Sequence, residues 1–235
     1  MSALTQFAET VWIVDHPLSL AGLRLGTRST IIRLPSDGLA IISPVAFDDE
    51  TVDDIEDLGD VEVIVAPNSQ HHLYLEDACR RWPDARVLTP PGMVDDVDEG
   101  RAEALDADGA FGDAVVWRRI DGLPRLEEYA FVDTRSGVLV LTDLAFHFRG
   151  HSHWWTRFFL WMYGALDHFG PTRLIRFLIR DDQALGASLE ELLSHSWDAI
   201  IVAHGEPIEE GGRQMFIEAF SRYLDDDVQK LLPSP

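Results

Sequence analysis

Apolar positions recur along this chain with two periods, and several apolar runs stop at residues able to do chemistry. Val61 to Ala66, Val138 to Thr142 and Ala199 to Ala203 are nearly continuous apolar stretches, the pattern of strands buried on both faces. Trp12 to Val14, Ser29 to Leu34, Leu39 to Ser43, Ala85 to Leu88, Ala114 to Ile120 and Glu128 to Asp133 read as further strands. Pro35-Ser36-Asp37-Gly38 turns one pair, and Thr134 to Gly137 makes a hairpin of another. Asp49 to Leu58 has apolar Val52, Ile55 and Leu58 at steps of three and is closed by Gly59, which predicts a helix.

Further helices are predicted at Leu73 to Trp82, stopped before Pro83, and across the aromatic stretch His153 to Phe169. Pro171 opens another, to about Arg180. Ser188 to His195 reads as a short helix with Ser188 as N-cap and Glu191 at the capping-box position. Gly212 to Leu224 gives the last helix, and acidic Met93 to Gly112 a surface loop with a short helix. Strands first, then strand–helix alternation, then a second round of both predict an α/β fold. Its form is an αββα sandwich, two mixed sheets face to face with helices outside. No linker or repeat interrupts the 235 residues, so a single domain over 1–235 is expected.

Charge narrows the partners. Forty-one acids against 19 Lys and Arg give −22. That field repels phosphate backbones, and nucleic acid is not expected as a partner. Arg173, Arg176 and Arg180 form the best basic cluster and look like one helix face. No basic-then-apolar leader and no apolar stretch long enough to span a bilayer is seen, so no membrane partner is expected. The single Cys79 fits a reducing cytoplasm. Trp154, Trp155, Phe158, Phe159, Trp161, Met162 and Tyr163 predict a helix packed on the core or a homodimer interface. The functional reading is an apolar wall over a site for an acyl substrate.

The chemistry sits at strand ends, where layered α/β proteins build sites. His71 and His72 follow the first apolar run, Asp143 ends the second, and His204 ends the third. Together they offer imidazole nitrogens and a carboxylate to one metal, Zn²⁺ or Fe²⁺. Neighbouring strand residues point to opposite faces, so His71 and His72 ligate together only from a loop or helix start. Pro67 and Asn68 argue for a loop. If one of the pair binds, three protein ligands leave a position open for water, the pattern of a catalytic zinc; if both bind, a tetrahedral shell is full. Asp143 is the candidate catalytic group, holding water as well as metal. Glu76 is a candidate partner for an imidazole N–H, His147 a further ligand or base, and Arg149 a contact for a substrate carboxylate. His151 and His153 lie close by. Each of these residues also has a plain role open to it, as loop histidine, turn acid or solvated helix acid.

In order and placement, Pro67-Asn68-Ser69-Gln70-His71-His72, Leu141-Thr142-Asp143-Leu144 and Ala203-His204-Gly205 resemble the metallo-β-lactamase superfamily. More narrowly, they resemble a branch known only as a domain of unknown function. The superfamily's His-x-His-x-Asp-His loop, laid with its last His on His72, puts its first two histidines on Pro67 and Ser69 and its Asp on His71. A further superfamily His, due near Gly122 to Arg125, is missing. The resemblance thus implies one metal site erased and the other kept as His71, His72, Asp143 and His204. It implies a mononuclear hydrolase of an ester- or thioester-like small molecule. Two alternatives stay open: a metal-binding protein without turnover, and an iron-dependent thiol or sulfide oxidoreductase.

Overall fold

Residues 3–97, 100–150 and 153–229 are described by the computed structural model. The chain starts with the strands β1 (Leu4–Ala8) and β2 (Val11–His16), a small hairpin of β3 (Ser19–Leu20) and β4 (Leu23–Arg24), then β5 (Thr27–Arg33) and β6 (Leu39–Ile42). Helix α1 (Asp49–Leu58), β7 (Val61–Val65), α2 (Leu75–Arg81), β8 (Arg86–Thr89) and β9 (Ala102–Ala104) follow. These strands make a seven-stranded sheet ordered β1-β2-β5-β6-β7-β8-β9. It is antiparallel up to β6 and parallel from β6 to β9.

The second sheet is built from β10 (Asp108–Phe111), β11 (Val115–Arg119), β12 (Tyr129–Asp133), β13 (Val138–Leu141) and, much later, β16 (Ala199–Val202). Between β13 and β16 lie β14 (Phe146–His147), α3 (Trp154–Met162), β15 (Phe169–Gly170), α4 (Arg173–Leu178) and α5 (Asp182–Ser194). Helices α6 (Gly212–Phe220) and α7 (Asp226–Gln229) close the described chain.

Alternation along the strands sorts the core into three layers. Val11, Ile32, Ala40 and Val65 of the first sheet meet Tyr129, Phe131, Val140 and Ile201 of the second. On the outer face of the first sheet, Ile31, Ile41 and Ile64 pack with Val52 and Ile55 of α1 and Ala78 of α2. On the outer face of the second, Val132, Leu139 and Ile200 pack with Leu189 and Leu192 of α5 and Phe216 of α6. This is the αββα sandwich, with two mixed sheets and helices outside.

Several elements differ from the sequence expectation. Helix α5 begins at Asp182, six residues before Ser188, capped by Asp181, whose carboxylate accepts the Gln183 and Ala184 N–H groups at 3.0 and 2.9 Å. Ser188 is therefore no N-cap. It is buried mid-helix, donating to the Ala184 carbonyl at 3.1 Å and accepting the Asp121 N–H at 3.0 Å. Helix α3 stops at Met162 rather than reaching Phe169, because the Ala165 N–H turns back to the Leu160 carbonyl at 2.8 Å. Helix α4 takes Thr172 as N-cap, one residue after Pro171, and Arg180 lies past its end. The acidic 93–112 segment holds β9 and β10 as well as a 3-10 turn at Pro91–Asp96.

Candidate metal centre

Parallel pairing sets two of the site residues side by side. Leu141 of β13 pairs with Val202 of β16, so Asp143 and His204 each leave the sheet two residues past a matched end. His71 comes from the turn after β7 in the other sheet. Donor atoms of His71, Asp143 and His204 all lie within 4.8 Å of one another. The Asp143 carboxylate sits between the rings: Oδ2 is 3.3 Å from His71 Nε2, and Oδ1 is 3.5 Å from His204 Nε2.

The outer ring nitrogens are engaged. His204 Nδ1 lies 2.6 Å from the Gly26 carbonyl oxygen, just before β5. A carbonyl only accepts, so Nδ1 carries a proton and Nε2 is the ring nitrogen turned inward. His71 Nδ1 lies 2.7 Å from Ser43 Oγ at the end of β6. A lone pair aimed at a carboxylate oxygen is repulsive unless a cation, a proton or a metal ion, lies between them. Two inward nitrogens and one carboxylate fit Zn²⁺ or Fe²⁺.

A buried polar frame holds Asp143. The Asn68 amide, fully buried, donates to Asp143 Oδ2 at 3.0 Å, to Thr142 Oγ1 at 3.0 Å and to Glu128 Oε2 at 2.6 Å. Its carbonyl accepts the Gln70 and His71 N–H groups at 2.7 and 2.9 Å, which folds the 68–71 turn and aims His71. Glu128 Oε1 accepts the Thr142 N–H at 2.9 Å and the Thr142 hydroxyl at 2.7 Å. Burial and the neighbouring Asp143 charge push the Glu128 carboxyl up. Asp143 is held below the usual carboxylate range: burial opposes this, but the His71 and His204 rings outweigh it. For His71, burial acts downward, yet Asp143 wins and its pKa is raised.

The loop carrying His204 is pinned from both sides. Arg28 of β5, buried, donates Nη1 to the Val202 and Gly205 carbonyls at 2.8 and 2.9 Å, and Nη2 pairs with Asp15 at 2.7 Å. On the other side the His147 N–H donates to the His204 carbonyl at 3.2 Å, and the Glu206 N–H to the His147 carbonyl at 2.7 Å. Gly205 has φ +99, and a Cβ there would stand 2.1 Å from the His147 carbonyl oxygen, so only glycine fits.

The remaining sequence candidates lie outside this cluster. His72 is exposed. Glu76 is exposed on α2 and its carboxylate is 3.7 Å from Arg80 Nη1. His147 is buried with both ring nitrogens engaged, Nδ1 at the Glu206 carbonyl at 2.8 Å and Nε2 accepting from Arg149 Nε at 3.2 Å. Burial lowers its pKa. His153 is the N-cap of α3, and His151 lies outside the described residues. Asn68 was legible only as a turn residue, and Glu128 and Ser43 were not legible as site residues at all. A cleft of about 740 Å³ opens on the residues flanking His204, with Arg24, Gly26, Arg149, Ala203 and Gly205 in its wall but none of the three donors.

The sequence model of a domain of unknown function (DUF4336) matches residues 8–94, a stretch that includes His71 but neither Asp143 nor His204. No curated protein matches the chain. A metallo-β-lactamase from Pontibacter korlensis is similar in structure, at 12% identity, TM-score 0.62, covering 94% of this chain and 97% of that one. A fragment of a diflavin flavoprotein from Nostoc sp. PCC 7120 is similar at 12% identity and TM-score 0.64, covering 97% and 96%. The metallo-β-lactamase FIM-1 from Pseudomonas aeruginosa, in a mono-zinc form, is similar at 12% identity and TM-score 0.60, covering 97% and 95%. Sheet order, layering and these likenesses together show that the chain has the metallo-β-lactamase fold.

Proposed function

We propose that the chain is a mononuclear metal-dependent hydrolase of an ester- or thioester-like small molecule, with His71, Asp143 and His204 holding one Zn²⁺ or Fe²⁺. The observation that carries this is the tautomer of His204: its Nδ1–H is fixed on the Gly26 carbonyl, leaving Nε2 directed at Asp143. When bound, a divalent ion supplies a Lewis acid that polarises a carbonyl and acidifies water by several pKa units, to about 7. Three protein donors leave room for water beside it. Asp143 would hold the ion and accept a hydrogen bond from that water; Asn68 fixes the carboxylate by its 3.0 Å contact. The cleft beside His204 takes the substrate, and Arg149 in its wall suits an acidic group on it.

One ion rather than two is supported by what stands in place of the missing histidines. Ser69 Oγ donates to the Arg125 carbonyl at 3.2 Å, and the Ser69 N–H to the Leu126 carbonyl at 3.0 Å. The two segments due to carry a second metal's ligands are thus adjacent but offer a hydroxyl and a guanidinium, no imidazole. Turnover of generic ester and thioester substrates by metal-loaded protein tests the reading. It is expected to disappear in Asp143→Ala and survive in His72→Ala. Turnover that persists in Asp143→Ala, or none in the metal-loaded wild type, overturns it.

A further inference from the structure

Helix α3 turns most of its apolar surface outward. Trp154 is 73% and Trp161 66% exposed, and Trp155, Phe158 and Met162 are exposed beside them; only Thr156 and Leu160 are buried. Exposed Leu174 and Phe177 add to this from α4. The two helices are tied together, the Arg173 N–H donating to the Tyr163 carbonyl and Arg173 Nη1 to the Met162 carbonyl, both at 2.8 Å. So large a contiguous aromatic surface marks a contact with something else.

Charge decides what covers it. Residues 153–180 hold four arginines, Arg157, Arg173, Arg176 and Arg180, against one acid, Asp167, in a chain of net −22. All four are exposed. Tryptophan flanked by arginine is the chemistry of an anionic bilayer surface, where the indoles sit at headgroup depth and the guanidinium groups meet phosphate. A second copy meeting this face by twofold symmetry would set arginines against arginines. No helix among the described residues is long and apolar enough to cross a membrane, so the contact is peripheral. We propose that the α3–α4 face docks on an anionic lipid surface. The buried side of α3 packs beside the cleft: the Arg24 N–H donates to Thr156 Oγ1 at 3.0 Å, and Arg24 and Leu25 line the cleft. The docking does not depend on the metal reading.

Co-sedimentation with vesicles of phosphatidylcholine alone and of phosphatidylcholine with phosphatidylserine tests this. The wild type is expected to bind only the anionic vesicles and to release as salt rises. R157E/R176E should weaken partitioning at least about thirtyfold, each arginine counting about fivefold, and W154S/W161S should abolish it. These positions are exposed; single Trp154→Ser and Arg157→Glu variants serve if a double variant does not fold. Absence of binding to anionic vesicles, or binding unchanged in both kinds of variant, overturns the proposal. A dimer in solution that W154S/W161S makes monomeric, with no vesicle binding, overturns it too and assigns the face to a second copy.

Discussion

The His204 ring lies with Nδ1 2.6 Å from the Gly26 carbonyl oxygen, although 178 positions separate the two residues. This one bond ties the end of the second sheet to the chain entering the first, and it sets which nitrogen faces the site. A metal-ligating histidine is ordinarily oriented by such a carbonyl. Removing the ring should empty the site without unfolding the chain. His204→Ala is expected to lower metal content severalfold with the folded circular dichroism signal retained; full occupancy in that variant would take His204 out of the ligand set.

The two neighbouring histidines should behave differently. His71 faces Asp143 and His72 is exposed. His71→Ala is expected to weaken metal affinity by a hundredfold or more, on the order of 3 kcal/mol for a lost ligand and its unpaired carboxylate partner. His72→Ala should leave affinity within about threefold. Titration with a competing chelator measures both, and equal losses would contradict the assignment.

The buried frame predicts a stability effect separate from metal. Asn68→Ala leaves the fully buried Glu128 carboxylate and the partly buried Asp143 carboxylate without a shared donor. That should cost about 2–4 kcal/mol, read as a lower denaturant midpoint of the metal-free protein. Gly205→Ala should cost about 3 kcal/mol or more and displace His204, since the added carbon meets the His147 carbonyl. A variant that folds and binds metal like the wild type would contradict the packing described.

The pH dependence follows from the shifts at the site. His71 is raised above its ordinary 6.5. A raised group contributes stability that is fully present below the unfolded value and is lost as pH rises through the folded one. The metal-free protein should therefore lose stability as pH climbs above about 6.5, while metal binding strengthens over the same range because the ligand must shed its proton. Asp143, held low, adds stability that persists down to strongly acid pH. Thermal melts with and without metal across this range check the crossing; parallel profiles would contradict it.

Much of this architecture was legible because apolar runs and strand ends are local signals. Val61 to Ala66 and Ala199 to Ala203 read as buried strands from composition alone, and their exits carry His71 and His204. Helix α5 was misread because Gly186 breaks its pattern. That glycine is there for packing: a Cβ would stand 2.2 Å from the Tyr223 carbonyl oxygen, a contact no local window contains. Glu128 was missed for a related reason. It precedes an ordinary apolar strand, and its role comes from Asn68 and Thr142, 60 and 14 positions away. That the 71–72 pair would divide into one inward and one exposed ring depended on the Asn68 turn, which sequence suggested only as a loop.

Anomalous diffraction from crystals grown with one added metal, Zn²⁺ or Fe²⁺, tests the central claim most directly. A single strong peak between the His71 and His204 Nε2 atoms and the Asp143 carboxylate is the expected result, with a solvent ligand completing the shell. No peak there at saturating metal, or a peak held by other residues, would contradict it.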